Sequence, residues 1–166
     1  MDAYEAVVTK RDIRHYTPDP IPDDLLHKVL QAARMAGSAK NAEANRLIVF
    51  RGREVKEALA GCGDYAGWIG SAPVIIGIAA PREALRLFDV GRMAQNMMIV
   101  AHAEGLGSCP VTLGHQDRVR AAIGLPDDWE MPMVITLGRP VAEVPDSPLK
   151  RRRLPLEELV RHERWS

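Results

Sequence analysis

Residues 97 to 101, Met-Met-Ile-Val-Ala, lie in the second half of a long helical pattern and are apolar on every side of it. The pattern begins near Arg82 or Glu83 and runs to Glu104, where Gly105 stops it. A helix that is apolar all round has no face to give to water, so this one should be buried centrally. That requirement asks for a layered fold with other elements on more than one side of the helix. Val74-Ile75-Ile76-Gly77-Ile78-Ala79 makes a matching demand, being a continuous apolar run of strand length that expects cover on both faces.

Other segments supply that cover. Thr17-Pro18-Asp19-Pro20-Ile21-Pro22 carries three prolines and reads as an extended connection. Asp23 then caps a helix with Leu25, Leu26, Val29, Leu30, Ala33 and Ala36 on one face, ended by Gly37. Arg46 to Phe50 reads as a strand, Arg53 to Ala60 as a short helix, and Gly105 to Pro110 as a glycine-rich loop. A short amphipathic helix follows near Asp117 to Ile123, and Met133 to Gly138 is a further strand. The tail after Pro140 has little core until Leu156-Glu157-Glu158-Leu159-Val160, so it is either frayed or docked on something. Strands and helices do not alternate regularly, and no repeat or boundary divides the chain. The expected fold is α+β, a central mixed sheet flanked by helices, in one domain over 1–166.

Composition narrows the function. Lys plus Arg and Asp plus Glu number 22 each, so the formal charge is zero, against the basic excess that a nucleic-acid or membrane-surface protein needs. No apolar run approaches the ~18 residues of a membrane span, and the first residues do not resemble a signal peptide. Cys62 and Cys109 have no C-x-x-C or metal-ligand spacing, and the plain reading is a cytoplasmic protein with reduced thiols. Zero net charge also suits a chain that buries surface in an oligomer. Gly61-Cys62-Gly63-Asp64-Tyr65-Ala66 fits a dinucleotide fingerprint in letters, but it follows a helix where the fingerprint needs a strand. His102 reads as a satisfied core residue, and Met93, Met97 and Met98 as core filler.

Four segments carry candidate chemistry. Lys10-Arg11-Asp12-Ile13-Arg14 places three cations within five residues, able to clamp a phosphate or face a ring that becomes anionic, or simply to be solvated. Ser38-Ala39-Lys40-Asn41 can present amides and a carboxamide to a heterocycle, or form an ordinary turn. The loop from Gly105 through Pro110, Val111, Thr112 and Leu113 lets a flat ligand approach the backbone, or is a helix stop. Lys150-Arg151-Arg152-Arg153 can bind phosphate or be solvated, and Glu157 and Glu158 beside it speak against nucleic acid.

Taken in order, these segments resemble the FMN-dependent nitroreductase-like family over nearly the whole chain. The family's opening R-R-S-x-R with an aromatic is matched by Lys10-Arg11-Asp12-Ile13-Arg14 and Tyr16. Pro22-Asp23-Asp24-Leu25-Leu26, the partial match Ala36 to Asn45, and Ala72-Pro73-Val74-Ile75-Ile76 follow. Gln95-Asn96, Gly105-Leu106-Gly107-Ser108-Cys109, Gly124-Leu125-Pro126, Leu137-Gly138-Arg139-Pro140 and the ending from Arg151 to Glu158 complete the series.

The resemblance implies a homodimer with FMN at the subunit interface, the C-terminal arm packing on the partner, and NADH or NADPH as electron donor. It implies two-electron reduction of nitroaromatic, quinone or related small-molecule acceptors, with the chemistry at flavin N5 and no catalytic side chain. By the same resemblance Lys10 meets the flavin phosphate and Arg14 the pyrimidine edge near N1 and O2. Arg151 and Arg153 complete the phosphate clamp, and Pro110, Val111, Thr112 and Leu113 lie against the ring. Arg11, Asp12, Ser38 and Asn41 belong to the same cofactor-binding set. Asp12 stands where the family has serine, and is expected to orient Arg11 or Arg14 as a charge-assisted partner. Gly37, Glu43, Ala44 and Asn45 also depart from the common form, which leaves open a specialised flavin-fragmenting or reductive-dehalogenating member, or a flavin-binding protein without turnover.

Overall fold

The computed structural model describes residues 1–142 and 153–165. Helix α1 (Ala3–Thr9) opens the chain, and the Asp2 side chain caps it by accepting from the Glu5 amide at 2.8 Å. The proline-rich connection leads into α2 (Asp23–Arg34), then come β1 (Arg46–Phe50), α3 (Arg53–Ala60) and β2 (Val74–Pro81). After a 3-10 turn come α4 (Leu87–Ala103), β3 (Gly107–Thr112), α5 (Gln116–Ile123), β4 (Trp129–Gly138) and the one-turn α6 (Leu156–Leu159).

The sheet order is β1-β2-β4-β3. All three pairings are antiparallel, so the expected mixed sheet is antiparallel in its four strands. The one parallel contact among the described residues is an isolated bridge from Asp12 to Ser108 on the outer edge of β3. β2 is central and buried on both faces, as its unbroken apolar run requires. The strand period of two then divides the core. Val74, Ile76 and Ile78 face the layer built by α2 and α4, while Ile75 and Ala79 face the layer built by α3 and α5.

Two expectations change in detail. The long helix starts at Leu87, because β2 runs on to Pro81 and the extended backbone at Leu85 and Arg86 separates a 3-10 turn from α4. Within its apolar run Met97, Met98 and Ala101 are buried but Ile99 and Val100 are only half-buried, so the chain covers this helix incompletely. The stretch expected as a loop from Gly105 to Pro110 is mostly β3. Only Gly105 takes the left-handed conformation there, at φ 76°, and Gly107 onward pairs with β4. Proline is tolerated in β3 because an edge strand leaves alternate N–H positions unpaired.

The segment from Lys10 to Thr17 is held across the ends of β3 and β4. The Ile13 amide donates to Ser108 O at 2.9 Å and the Thr17 amide to Arg139 O at 2.9 Å. The Tyr16 hydroxyl donates to Ile13 O and lies 2.8 Å from Thr136 Oγ1. Two glycines permit this approach. A Cβ on Gly107 would stand 2.9 Å from Ile13, and one on Gly138 would stand 2.7 Å from the Tyr16 ring and 2.8 Å from Pro73.

Neither neighbour of Gly138 can swing away, since one is an inserted ring and the other a proline. Gly138→Ala should therefore destabilise the protein by about 1–3 kcal/mol in urea unfolding, the usual cost of overpacking. Gly67→Ala is the control, because a Cβ there meets nothing within 4 Å. Equal midpoints for the two variants would show that the docked segment has room to spare.

Candidate functional site

Extended backbone from residue 10 to residue 14 sends alternate side chains to opposite sides. Lys10, Asp12 and Arg14 share one side, and Arg11 and Ile13 the other. Lys10 forms an ion pair with Asp12, and its ammonium lies 3.2 Å from Met98 Sδ on α4. This corrects the expectation that Asp12 orients Arg11 or Arg14: a spacing of two on extended chain favours its partner at position 10. Arg11 is turned away and donates to Val8 O at 2.9 Å and Lys10 O at 2.8 Å, where it satisfies carbonyls at the end of α1. Arg14 extends over the Trp68 ring, with its guanidinium carbon 5.7 Å from the ring centre.

The outer edge of β3 runs beside this cluster. Ser108 points its carbonyl outward to Ile13, so the alternation places the backbone polar groups of Pro110 and Thr112 on the same outer edge. Proline has no N–H to leave unpaired there, and Thr112 has one to offer. Pro110 and Val111 are half-buried and Thr112 is exposed. The turn at Gly63 packs against the end of this edge, where an added Cβ would stand 2.7 Å from Thr112 O. Leu113 is not part of the surface. Its side chain is core and its amide donates to Pro132 O at 2.8 Å, because the chain turns inward after β3.

Beneath the cations lies a polar group outside the expected cofactor-binding set: half-buried Tyr16 with buried Cys109 and Thr136. Burial pushes the Cys109 thiol above its ordinary value, and the Arg14 guanidinium beside it pulls the other way. Burial likewise raises the Tyr16 phenol, opposed by its hydrogen bond with Thr136. Trp68 was also missed. An aromatic close to the Ala72-Pro73 motif was the available signal, but nothing in the sequence ties it to a position over fifty residues earlier.

Ser38 and Asn41 stand elsewhere. Ser38 Oγ accepts from the Glu43 amide at 3.1 Å, and Asp89 Oδ2 accepts from the Ala39 amide at 3.1 Å. Lys40, Asn41 and Glu43 all have positive φ, at 56°, 52° and 47°, an unusual density of left-handed non-glycine residues in one loop. The loop borders a cavity of about 630 Å³ walled by α2, β1 and the start of α4. Ser38 lines it, whereas Lys10, Asp12, Arg14 and residues 110 to 113 do not.

The cavity lies on the β1 side and the cation cluster on the β3 side. These are opposite edges of the sheet, three strand spacings of about 4.8 Å apart. The two groups of candidate residues are thus apart within the chain. Arg153 is exposed in the tail, and Arg151 lies outside the described residues. Among the described residues no three His, Cys, Asp or Glu side chains are grouped to hold a metal, and no helix is long and apolar enough to cross a membrane.

Comparison with known proteins returns one answer. The nitroreductase family profile matches residues 7–64 and 62–139. A protein named NADH dehydrogenase from Thermus thermophilus is 30% identical over 199 aligned residues, covering 96% of this chain and 95% of that one. A nitroreductase family protein from Clostridium difficile superposes with a TM-score of 0.85 at 26% identity, covering 99% of both chains. A Desulfovibrio desulfuricans protein crystallised in complex with FMN superposes at 0.81 with 26% identity, covering 100% of this chain and 99% of the other.

Three weakly acidic groups, Cys109 and Tyr16 beneath the cations and Cys62 after α3, set a pH dependence. Cys109, Cys62 and Tyr16 are all raised in the folded protein, so the unfolded chain loses their protons first. Stability from these groups is complete at neutral pH. It falls as pH rises past the ordinary values of 9.0 for the thiols and 10.0 for the phenol. Urea midpoints should decline between pH 8 and pH 11, and Tyr16→Phe should flatten the upper part of that decline. A flat wild-type profile would mean that these groups ionise as freely in the fold as outside it.

Proposed function

The chain belongs to the nitroreductase family, and on that footing we propose that it is an FMN-dependent oxidoreductase carrying two electrons from NADH or NADPH to a small-molecule acceptor such as a nitroaromatic or a quinone. The proposal places it in the cytoplasm, which suits its two buried free thiols. The observation that carries the reading is the placement of Arg14 and Lys10 on one side of an extended segment, beside an edge strand whose outer face offers Pro110, Val111 and the Thr112 amide.

The donor set suits FMN. A flat ring needs apolar contact on its face and donors at its edge, and Pro110, Val111 and Thr112 supply both. The phosphate needs cations. Lys10 and Arg14 with Asp12 leave one net positive charge, so a dianionic phosphate requires more, and Arg151 and Arg153 of the tail would bring it. Arg14 would face the pyrimidine edge, where its fixed positive charge in a poorly hydrated site favours the electron-rich form of the ring. Bound FMN would itself supply the two-electron chemistry at N5. The chain would bind, orient and polarise it, with no side chain acting as nucleophile or acid–base catalyst.

Ser38 and Asn41 join this scheme only across a subunit boundary. A homodimer with FMN at the interface would bring the β1-side half-site of one protomer to the β3-side half-site of the other. The half-buried Ile99 and Val100, together with exposed Tyr4, Val7, Phe88, Leu156, Leu159 and Trp165, provide apolar surface for such an interface. The tail, with Arg153 and exposed Leu154, would pack on the partner as an arm.

Purified protein should carry FMN that heat releases, and should oxidise NADH or NADPH when an acceptor is present. Arg153→Ala should weaken FMN binding roughly ten- to hundredfold, the loss of one charge-assisted contact of about 1.5–3 kcal/mol. A protein that fails to bind added FMN would overturn the reading.

Subunit complementation tests the shared site. Arg14→Ala and Asn41→Ala homodimers should each be impaired at both sites. Co-expressed and isolated as the heterodimer, they should regain one intact site and activity above either parent. Failure of the heterodimer to exceed its parents would place both residues in the same protomer's site.

A further inference from the structure

We propose that Trp68 is the positioning residue for Arg14: its indole fixes the guanidinium at the cofactor edge and, through it, sets the redox potential of bound FMN. The proposal rests on the reading of Arg14 as the partner of the flavin pyrimidine.

Arg14 needs an anchor. It is exposed, and among the described residues it forms no ion pair, because the one carboxylate on its side of the strand, Asp12, is taken by Lys10. A long side chain in that situation samples many rotamers. Among the described residues its ring contact is Trp68, 5.7 Å from guanidinium carbon to ring centre, with Cys109 beside it. A planar cation over an indole face is attracted by the ring's quadrupole, and the indole is the best of the aromatic partners.

Trp68 itself is held firmly. Its backbone carbonyl accepts from the Ser71 amide at 3.2 Å and from Ser71 Oγ at 2.8 Å. Ile69 next to it and Ala66 two residues before it are fully buried, and Trp68 packs on their cluster. The contact therefore joins a rigid base to a loose cation.

The consequence is electrostatic. A positive charge held at the pyrimidine edge stabilises the reduced, more negative ring more than the oxidised one. A guanidinium spread over several rotamers does so less. Loss of the indole should lower the potential without removing any group that touches the flavin.

The test uses FMN-loaded protein and potentiometric titration of four forms: wild type, Trp68→Leu, Arg14→Ala and the double variant. Trp68→Leu should weaken reduced relative to oxidised FMN about three- to tenfold, equivalent to lowering the potential by about 15 to 30 mV. Trp68→Phe, which keeps a ring, should recover part of that shift. In the Arg14→Ala background the Trp68 substitution should change nothing further, since the indole acts only through the guanidinium. Equal Trp68→Leu shifts in both backgrounds would overturn the proposal.

A second measurement needs no flavin and keeps the two readings apart. With Trp129 and Trp165 replaced by Phe, Trp68 is the sole indole, and Arg14→Ala in apoprotein should change its emission. No change means that Arg14 does not sit over the ring, and the proposal falls whatever the cofactor does. A change in emission, with a potential indifferent to Arg14→Ala, means that Arg14 does not face the pyrimidine. That outcome removes the proposal by way of the functional reading beneath it.

Discussion

The backbone of residues 10 to 17 lying flat on the ends of β3 and β4 is the contact on which the candidate site depends. Two glycines make it possible, and the Tyr16 ring inserted against Gly138 makes it specific. With Ile13 and Thr17 bonded to strand carbonyls, the extended segment between α1 and the prolines is fixed in register. Register decides which side chains share a side. A slip of one residue would exchange Arg14 for Ile13 and turn Lys10 away from α4. The segment has few buried side chains of its own, so its order is borrowed from the sheet.

The sheet in turn explains why the candidate residues separate. Four antiparallel strands place the first and the third in sequence order on the two outer edges. The loop before β1 and the segment beside β3 are therefore both at rims, on opposite sides of a buried middle. A fold of this kind cannot gather both rims around one flat ligand by internal motion, since β2 and most of β4 between them are committed to the core. It is in the proposed dimer that the two rims would meet, across the subunit boundary.

Much of this was legible in the sequence, and the reasons differ by element. β1 and α3 match their expected boundaries because a short apolar strand and a glycine-bounded helix announce both ends. β3 was hidden. Its glycines and proline have loop character, and its strand form comes from pairing with β4 more than twenty residues later. α1 escaped because seven residues carry too little periodicity to stand out. At the site, ordered motifs named Lys10, Arg14 and the 110 to 112 stretch. Treating each motif as a cluster also swept in Arg11 and Leu113, which extended-chain alternation and the inward turn send elsewhere. Trp68 lay beyond any local pattern, since its contact with Arg14 exists only in three dimensions.

The two rims of the sheet are unequal in one further respect. Along β3 the outer edge is closed by residues 12 and 13 at one end, interrupted by Pro110 in the middle, and capped by the turn at Gly63 at the other. No foreign strand can zip onto it. β1 has no such guard among the described residues, and it carries no proline to break a run of main-chain hydrogen bonds. A chain that pairs through β1 presents its closed β3 edge outward, so edge-to-edge pairing of copies stops at two and cannot grow strand by strand. The single open rim is thus a point where strands can associate without being a route to fibres.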